Sequence, residues 1–276
     1  EKIDKYLKQS SNNFFPKKTI KKITTINAQH YFLIGFPRSG TTLLDTILRS
    51  HKDIIVVEEK PIVQKMAAQL SSLDKLENMN EHEVKSLSSI YLSELSKIIN
   101  INNINNKILI DKFPLNIIES RLIHLIFPNS KFIFSVRHPL DCVLSCFMQN
   151  FQINQAMINF LDIETTAKIY DKIMQIWLNY KEISTDSVYQ IKYENLTHNF
   201  DKTLINLMKF MKIKWNKDLL NFKTTAVNRE RVRTPSYTQV AQPIYKSSSF
   251  RWLNYKNELK LIRPILDKWM KYFNYE

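Results

Sequence analysis

The stretch GFPRSGTT, residues 35–42, decides the fold that we predict for this chain. Its glycines, Gly35 and Gly40, have the spacing of the phosphate-loop pattern G-x-x-x-x-G-K-[ST], but Thr41 stands where that pattern has lysine. An apolar run, HYFLIGF from His30, precedes the loop, and TTLLDTILRSH follows it with helical spacing of leucine and isoleucine. Strand, loop and helix are the context of a phosphate-binding loop, so we predict that this stretch binds an anionic group without a lysine.

Glycine is confined to this loop. The chain contains 2 Gly in 276 residues, whereas about 7% is usual, and both lie in the stretch just quoted. A residue without a side chain lets backbone N–H groups close around an anion and adopts positive φ angles at little cost. The distribution therefore favours a functional loop over a chance match to the pattern.

Length and composition limit the classes of protein to which the chain can belong. Its 276 residues suit one large α/β domain or two small ones, and a hydrophobic content of 44% is enough for a buried core. The formal net charge of +14 admits nucleic acid, an anionic membrane surface or an acidic substrate as a partner. The lysines are scattered rather than banded, so we expect no nucleic-acid partner.

The cysteines and the lack of long apolar runs bear on the cellular setting. Cys142 and Cys146 are four residues apart in one predicted helix, where a disulfide would be strained, so we expect reduced, packed thiols. No apolar run approaches the roughly 18 residues of a membrane span, and the start of the chain has no signal-peptide core. We therefore expect a cytoplasmic protein without a membrane span. The chain begins at Glu1, which is compatible with the removal of an upstream portion.

Five predicted strands alternate with predicted helices along the chain. This alternation is typical of a parallel sheet covered by helices on both faces, so we predict an α/β fold. We interpret residues 1–29 as a lead-in helix and linker, and the polar stretch 224–250 as a binding loop or lid. The strands are predicted at 30–36, 54–59, 107–114, 131–139 and 188–196, and the helices at 41–51, 61–72, 82–99, 116–126, 140–151, 165–184, 199–212 and 257–273.

Polar or charged residues follow each predicted strand. In open parallel sheets, ligands bind at the carboxyl ends of the strands, so we predict that these residues converge on one cleft. The alternative is that strand ends are polar only because they meet solvent. The residues are Arg38 and Ser39 after the first strand, Glu58 and Glu59 after the second, Lys112 after the third, Arg137 after the fourth, and Tyr193 and Glu194 after the fifth.

Several of these residues belong to motifs that occur in a fixed order in a known family. The motifs are P-R-S-G-T-T at Pro37–Thr42, the pair Glu58–Glu59, Lys112 with Pro114, Val136–Arg137 with Ser145 eight residues later, and Ser236, Gln239, Val240 and Pro243. With them, the chain resembles the sulfotransferases that use 3′-phosphoadenosine-5′-phosphosulfate (PAPS). Within that superfamily it most resembles the protein-tyrosine sulfotransferases and their bacterial, tetratricopeptide-linked relatives. The resemblance covers roughly residues 30–255 and implies the sulfotransferase fold, a P-loop-containing parallel sheet flanked by helices, with a catalytic domain at 30–276.

The resemblance implies PAPS as co-substrate, its desulfated form PAP as product, and no metal. PAPS has one phosphate bonded to a sulfuryl group and carries less charge than a triphosphate. Backbone amides, hydroxyls and a helix N-terminus can therefore hold it without a lysine. The implied contacts of the 5′-phosphosulfate are Arg38, Ser39, Gly40, Thr41 and Thr42, and those of the 3′-phosphate are Arg137 and Ser145.

Two further nucleotide contacts follow from the resemblance alone. Tyr193 is interpreted either as a contact of the adenine or as a residue that simply finishes its strand. Arg251, which precedes Trp252, matches a family pattern near the 3′-phosphate and is interpreted as a contact there.

The resemblance also implies catalytic residues. An acceptor hydroxyl attacks sulfur, and the unperturbed pKa of tyrosine is about 10, so a general base is useful. We predict that Glu59 is this base. Glu58 is its rival, and alternation at the strand end should send the two side chains in different directions. Lys112, Arg38 and Ser236 are the predicted donors to the leaving oxygen, with a surface lysine as the alternative for Lys112.

The acceptor is predicted from the same resemblance as a tyrosine in an acidic peptide or protein. A chain of charge +14 attracts such a peptide, and Arg229, Arg231 and Arg233 could line its groove. A saccharide, a lipid or a small phenol is the alternative acceptor, and homodimer formation is left open. Two other classes compete. A P-loop kinase or NTPase is disfavoured by the missing loop lysine and the lack of an obvious Walker B acid, and a non-catalytic binding module by the intact Arg38 and Glu59.

Overall fold

The computed structural model describes residues 2–10, 28–70, 72–152, 154, 156–181, 187–227 and 248–275. Five strands form one sheet: β1 Gln29–Gly35, β2 Ile54–Glu58, β3 Ile108–Lys112, β4 Lys131–Val136 and β5 Val188–Lys192. Their order in the sheet is β2-β3-β1-β4-β5, and β3 pairs in parallel with both β1 and β2. Helices separate the strands along the chain, so the predicted α/β fold with a parallel sheet is confirmed.

A helix is present at each predicted position, and the structure adds two that were not predicted, at Tyr193–His198 and Phe222–Val227. The helix Glu81–Ser96 begins with a capping box, in which the Asn80 side chain accepts the Glu83 N–H and the Glu83 carboxylate accepts the Asn80 N–H. The α-helices are α1 Lys2–Ser10, α2 Thr41–Leu48, α3 Ile62–Ala67, α4 Glu81–Ser96, α5 Ser120–Ile126, α6 Pro139–Phe147, α7 Ile163–Lys181, α8 Tyr193–His198, α9 Phe200–Met211, α10 Phe222–Val227 and α11 Arg263–Tyr272.

Several predicted boundaries are wrong. The fourth strand ends at Val136 rather than at 139, and α3 ends at Ala67 rather than at 72. The fifth strand ends at Lys192, because the next residues turn at once into α8 and the Glu194 carboxylate there accepts the backbone N–H of His138 at 3.0 Å. The last helix begins at Arg263 rather than at 257, with Pro264 in its first turn, where proline is tolerated. The stretch 224–250 is not irregular throughout, since α10 extends to Val227. Residues 228–247 of that stretch lie outside the described residues.

The chain divides into two compact units, which we describe separately. The first comprises Glu1–Ile34, Lys52–Ile133 and Ile173–Val188. Its core contains an aromatic cluster in which the rings of Tyr91 and Phe127 lie 4.7 Å apart. Helix α1 packs on this unit: the buried Tyr6 hydroxyl donates to Glu119, and the Arg121 guanidinium donates to the carbonyl of Gln9 at 3.2 Å.

The second unit comprises Gly35–His51, Phe134–Lys172 and Tyr189–Glu276. Its core is also aromatic, with the Phe36 and Tyr170 rings 4.8 Å apart. Cys142 and Cys146 are buried and free, which confirms the prediction of packed thiols, and burial raises the pKa of the Cys142 thiol to about 12. In the described part of the chain, no helix is long and apolar enough to cross a membrane.

A chain of buried polar side chains runs through the core of the first unit. Asp111, on β3, is fully buried and accepts hydrogen bonds from the Tyr91 hydroxyl at 2.9 Å and the Asn116 amide at 3.4 Å. The same hydroxyl lies 3.0 Å from Nε2 of His30. Burial raises the pKa of Asp111 to about 7 and lowers the pKa of His30 to about 3. Asp111 therefore adds a cost to folding that grows as the carboxyl ionises.

Replacing Asp111 by asparagine should reveal this cost as a pH-dependent difference in stability. Because the folded pKa lies above the unfolded one, the native state binds more protons, and the wild type loses stability as pH rises from about 4 to about 7. Histidines such as His30, whose pKa values are lowered, give the opposite slope but are unchanged by the substitution. Urea unfolding at pH 5, 6, 7 and 8 should show a difference, variant minus wild type, that increasingly favours Asp111→Asn. A difference independent of pH would contradict the assignment.

Candidate active site

The glycine loop needs both of its glycines. Gly40 has φ 98° and precedes α2, and a Cβ there would lie 2.6 Å from Cδ2 of Tyr193. A Cβ on Gly35 would lie 2.5 Å from the carbonyl oxygen of Ser135. The first position therefore requires a left-handed backbone and the second a close approach to β4. These two requirements explain why a chain with so little glycine keeps it here.

The side chains of the loop are buried and partly unsatisfied. Ser39 is 1% exposed, and its Oγ has no hydrogen-bond partner in the described part of the chain. Thr41 and Thr42 are also buried and begin α2, whose first N–H groups lack intrahelical partners. Arg38 is held at φ 70°, which is costly for a residue with a side chain. A buried hydroxyl without a partner, beside a helix N-terminus, fits an anionic ligand.

The structure brings the two predicted phosphate contacts, Arg38 and Arg137, together. The Arg38 Nε donates to Oγ of Ser145 at 3.0 Å, and the Arg137 guanidinium donates to the Arg38 carbonyl at 3.2 Å. Arg137 is 7% exposed, and its Nε has no hydrogen-bond partner among the described residues. Its guanidinium lies over the Tyr193 ring, 5.0 Å from the centroid. A buried cation with an unused donor is suited to a dianion such as a phosphate.

The structure bears differently on the other residues that are predicted to contact the nucleotide or the acceptor. Tyr193 is the first residue of α8, so its interpretation as the end of a strand is wrong, while the adenine contact stays a prediction. Arg251 is exposed at the start of a 3-10 helix, Arg251–Tyr255, and its role also stays a prediction. Ser236 lies outside the described residues, as do Arg229, Arg231 and Arg233.

Lys112 in the first unit is fully buried and holds both glutamates. Its Nζ donates to Glu59 at 2.7 Å and to Glu58 at 3.2 Å. The alternative of a surface lysine is therefore wrong. The expectation that strand alternation separates the two glutamates is also wrong, because Glu59 has φ 45° and has left the extended conformation. A backbone bond from the Glu59 N–H to the Lys112 carbonyl, 2.7 Å long, fixes the turn.

This cluster of two carboxylates and one ammonium carries a net negative charge when all three groups are ionised. Glu59 keeps 32% of its side chain exposed, against 16% for Glu58 and 0% for Lys112. Strained backbone at a polar, partly exposed residue is common at functional sites. Of the two glutamates, Glu59 is therefore the better placed to receive a proton from a ligand.

Comparison with known proteins agrees with these features. The model of a family described as the sulfotransferase family matches residues 31–217. The chain belongs to this family. An uncharacterized protein of Aquifex aeolicus is 28% identical over 87% of this chain and 32% of its own length, and protein-tyrosine sulfotransferase 1 of Danio rerio is 25% identical over 85% of this chain and 70% of its own. The sulfotransferase domain of the curacin biosynthetic pathway shares the fold, with a TM-score of 0.57 at 20% identity over 87% of this chain and 98% of that domain.

The comparisons also show how much of a relative this chain spans and which competing function is set aside. The chain spans about a third of the length of the Aquifex relative. Membership in the sulfotransferase family sets aside a P-loop kinase as an alternative. The expectation that the strand-end residues converge on one cleft involves both units and stays a prediction.

Two acidic residues, Asp141 and Glu194, support the site of this sulfotransferase-family chain. The sequence predicts Glu194 as one of the polar strand-end residues, whereas Asp141 is not predicted. Asp141 accepts the backbone N–H groups of Phe250 and Trp252 at 2.7 and 2.8 Å, and its carboxylate lies 3.8 Å from Arg137. Glu194 accepts from the Tyr275 hydroxyl at 2.6 Å as well as from the backbone N–H of His138, just before α6, at 3.0 Å. Only the i,i+4 spacing of Asp141 from Arg137 could have signalled its role, because the other partners are more than 50 residues away.

Proposed function

We propose that the protein transfers the sulfuryl group of PAPS to a hydroxyl, and that the acceptor is a tyrosine in an acidic peptide or protein. The observation that carries the proposal is the buried Arg137 beside the glycine loop, whose Nε has no hydrogen-bond partner among the residues that the structure describes. A site for an adenosine 3′-phosphate needs such a cation in addition to the phosphate loop. The family assignment and the relatedness to protein-tyrosine sulfotransferases support the same reaction.

The loop would hold the 5′-phosphosulfate and Arg137 the 3′-phosphate. Backbone amides of α2, the hydroxyls of Thr41 and Thr42, and the unpartnered Oγ of Ser39 provide donors without a point charge. Arg38 adds a planar cation for the sulfuryl oxygens, and its hydrogen bond to Ser145 keeps that cation oriented. PAPS supplies the sulfuryl group that is transferred. The proposal keeps the prediction that the reaction needs no metal.

Glu59 would accept the proton of the acceptor hydroxyl. Its carboxylate is partly exposed and is held by Lys112, so it can face a ligand while its orientation is fixed. Lys112 would also donate to the leaving oxygen, a role in which a buried ammonium is effective because little water competes with it. Glu58 shares the ammonium and balances its charge when Glu59 is engaged.

The acceptor is the finer part of the proposal. The relatedness to protein-tyrosine sulfotransferases and the net charge of +14 favour an acidic peptide. A saccharide, a lipid or a small phenol is the competing acceptor. Homodimer formation and a cytoplasmic setting stay predictions.

A competition assay with PAPS tests the acceptor. It offers an acidic tyrosine peptide, the same peptide with lysines in place of its acids, a simple phenol and a glycan. Sulfation of the acidic peptide should exceed that of the lysine peptide and should fall with added salt, because exposed charges are screened within about 10 Å at 0.1 M. Equal turnover of both peptides, or turnover of the glycan alone, would remove the tyrosine-peptide acceptor and leave sulfuryl transfer standing.

A further inference from the structure

Glu59 and Lys112 lie at the ends of neighbouring strands in the first unit. Glu59 follows β2 and precedes α3, while Lys112 ends β3 and precedes a 3-10 helix, Pro114–Glu119. At the strand ends, the Glu59 N–H donates to the Lys112 carbonyl at 2.7 Å. The pairing of β2 with β3, in which Glu58 lies opposite Lys112, and the ion pairs of Lys112 also hold the two strand ends together. The contact of α3 with the 3-10 helix adds a further restraint on the residues that follow.

A hydrogen bond between Gln64 and Asn116 joins these two helices. Nε2 of Gln64, on α3, donates to Oδ1 of Asn116, on the 3-10 helix, at 2.8 Å. Asn116 is fully buried, and its own Nδ2 donates to Asp111 at 3.4 Å. Asp111 in turn is held by the Tyr91 hydroxyl from α4 at 2.9 Å. One buried amide thus ties the helix after Glu59 to the strand that ends in Lys112.

We propose that the Gln64–Asn116 hydrogen bond positions Glu59 against Lys112 for the transfer reaction. This inference rests on the proposed function. A positive φ at a residue such as Glu59 persists only where the surroundings over-determine it. Gln64 lies five residues after Glu59, on α3, and supplies such a restraint through its hydrogen bond to Asn116. Both residues act through Glu59 and Lys112 and touch no reacting group.

The energetic reason is that catalysis depends more sharply on geometry than stability does. Loss of the Gln64 donor leaves the buried Asn116 oxygen without that partner and lowers stability modestly, which a folded protein tolerates. A displacement of the base by about 1 Å can lower a rate by about 10²-fold. Replacing a residue that only stabilises the fold would lower stability and the reaction rate slightly. Replacing a positioning residue would lower the reaction rate more than the stability.

The chain offers a matched pair of substitutions to separate these roles. Gln64→Met removes the donor and keeps the length of the side chain. Gln69→Met makes the same chemical change at an exposed glutamine just after α3, whose side chain makes no hydrogen bond within the described residues. Both variants are compared with the wild type in kcat, in the Kd of PAP, and in the rate of hydrogen exchange at the Lys112 ammonium, assigned by ¹⁵N NMR with Lys112→Met.

For Gln64→Met we expect kcat to fall about tenfold, the Kd of PAP to stay within about twofold, and ammonium exchange at Lys112 to speed up several-fold. Gln69→Met should match the wild type in all three. Unchanged kcat and exchange in Gln64→Met, or a loss shared equally by kcat and PAP affinity, would overturn the positioning role. If the wild type transfers no sulfuryl group but the exchange change persists, the proposed function has failed and the structural link has not.

Discussion

Glu59→Gln will lower kcat by about 10²–10⁴ and leave the Kd of PAP within about twofold of the wild type. The amide keeps the shape of the carboxylate but cannot take the proton of a hydroxyl with an unperturbed pKa of about 10. The variant loses the 2.7 Å ion pair to Lys112, yet Lys112 keeps Glu58 at 3.2 Å and so remains compensated. Single-turnover kinetics with PAPS, paired with a PAP titration, separates the chemical step from binding.

Glu58→Gln is the matched control for this prediction, since it removes one charge from the same ammonium. Its effect on kcat should be much milder, because Glu58 is the less exposed carboxylate and is assigned to hold Lys112 rather than to take the proton. The opposite ranking of the two variants would move the base to Glu58. Full activity in both would end the case for general-base catalysis by this pair.

Arg137→Ala will weaken PAP binding by about 30- to 5,000-fold, the equivalent of about 2–5 kcal/mol for one partner of a buried charge pair. The residue is 7% exposed, and its Nε makes no hydrogen bond within the described part of the chain, so a 3′-phosphate would gain a charge-assisted bond in a site with little water. Adenosine-5′-phosphosulfate, which has no 3′-phosphate, should bind the variant almost as well as the wild type. Calorimetric titration of both nucleotides measures the difference.

Two controls make the result for Arg137 specific. Arg263→Ala removes a charge from an exposed arginine on α11 and should leave both affinities unchanged. The Arg137 guanidinium also donates to the Arg38 carbonyl and to the Ser248 carbonyl, so its loss could disturb the loop as a whole. Equal weakening of both nucleotides would identify that structural role and contradict a separate 3′-phosphate site.

The sequence predicts most of the fold because the signals for it are local. Apolar runs of strand length, helical spacing and the two glycines locate the sheet, the helices and the loop. The strand end at Lys192 was missed because the turn into α8 depends on Glu194 binding the backbone of His138, a contact over 56 residues. Long-range contacts of this kind leave no periodic signal.

The features of the candidate site also differ in whether a local motif indicates them or only long-range contacts produce them. Arg38, Arg137 and Lys112 are predicted from motifs at strand ends; the structure buries Arg137 and Lys112, and the roles of all three stay predictions. The positive φ of Glu59 could not be predicted, because nothing in the local sequence favours it and only tertiary contacts maintain it. The link from Gln64 to Asn116 spans 52 residues and joins two ordinary polar side chains.

The central claim is that the glycine loop and Arg137 together bind an adenosine 3′,5′-bisphosphate nucleotide. Isothermal titration of the wild-type chain with PAP, once in EDTA and once with Mg²⁺, tests it most directly, with ATP titrated under the same two conditions. We expect PAP to bind with the same Kd in both solutions and far more tightly than ATP. Tighter binding of Mg²⁺-ATP than of PAP, or no binding of either nucleotide, would contradict the claim.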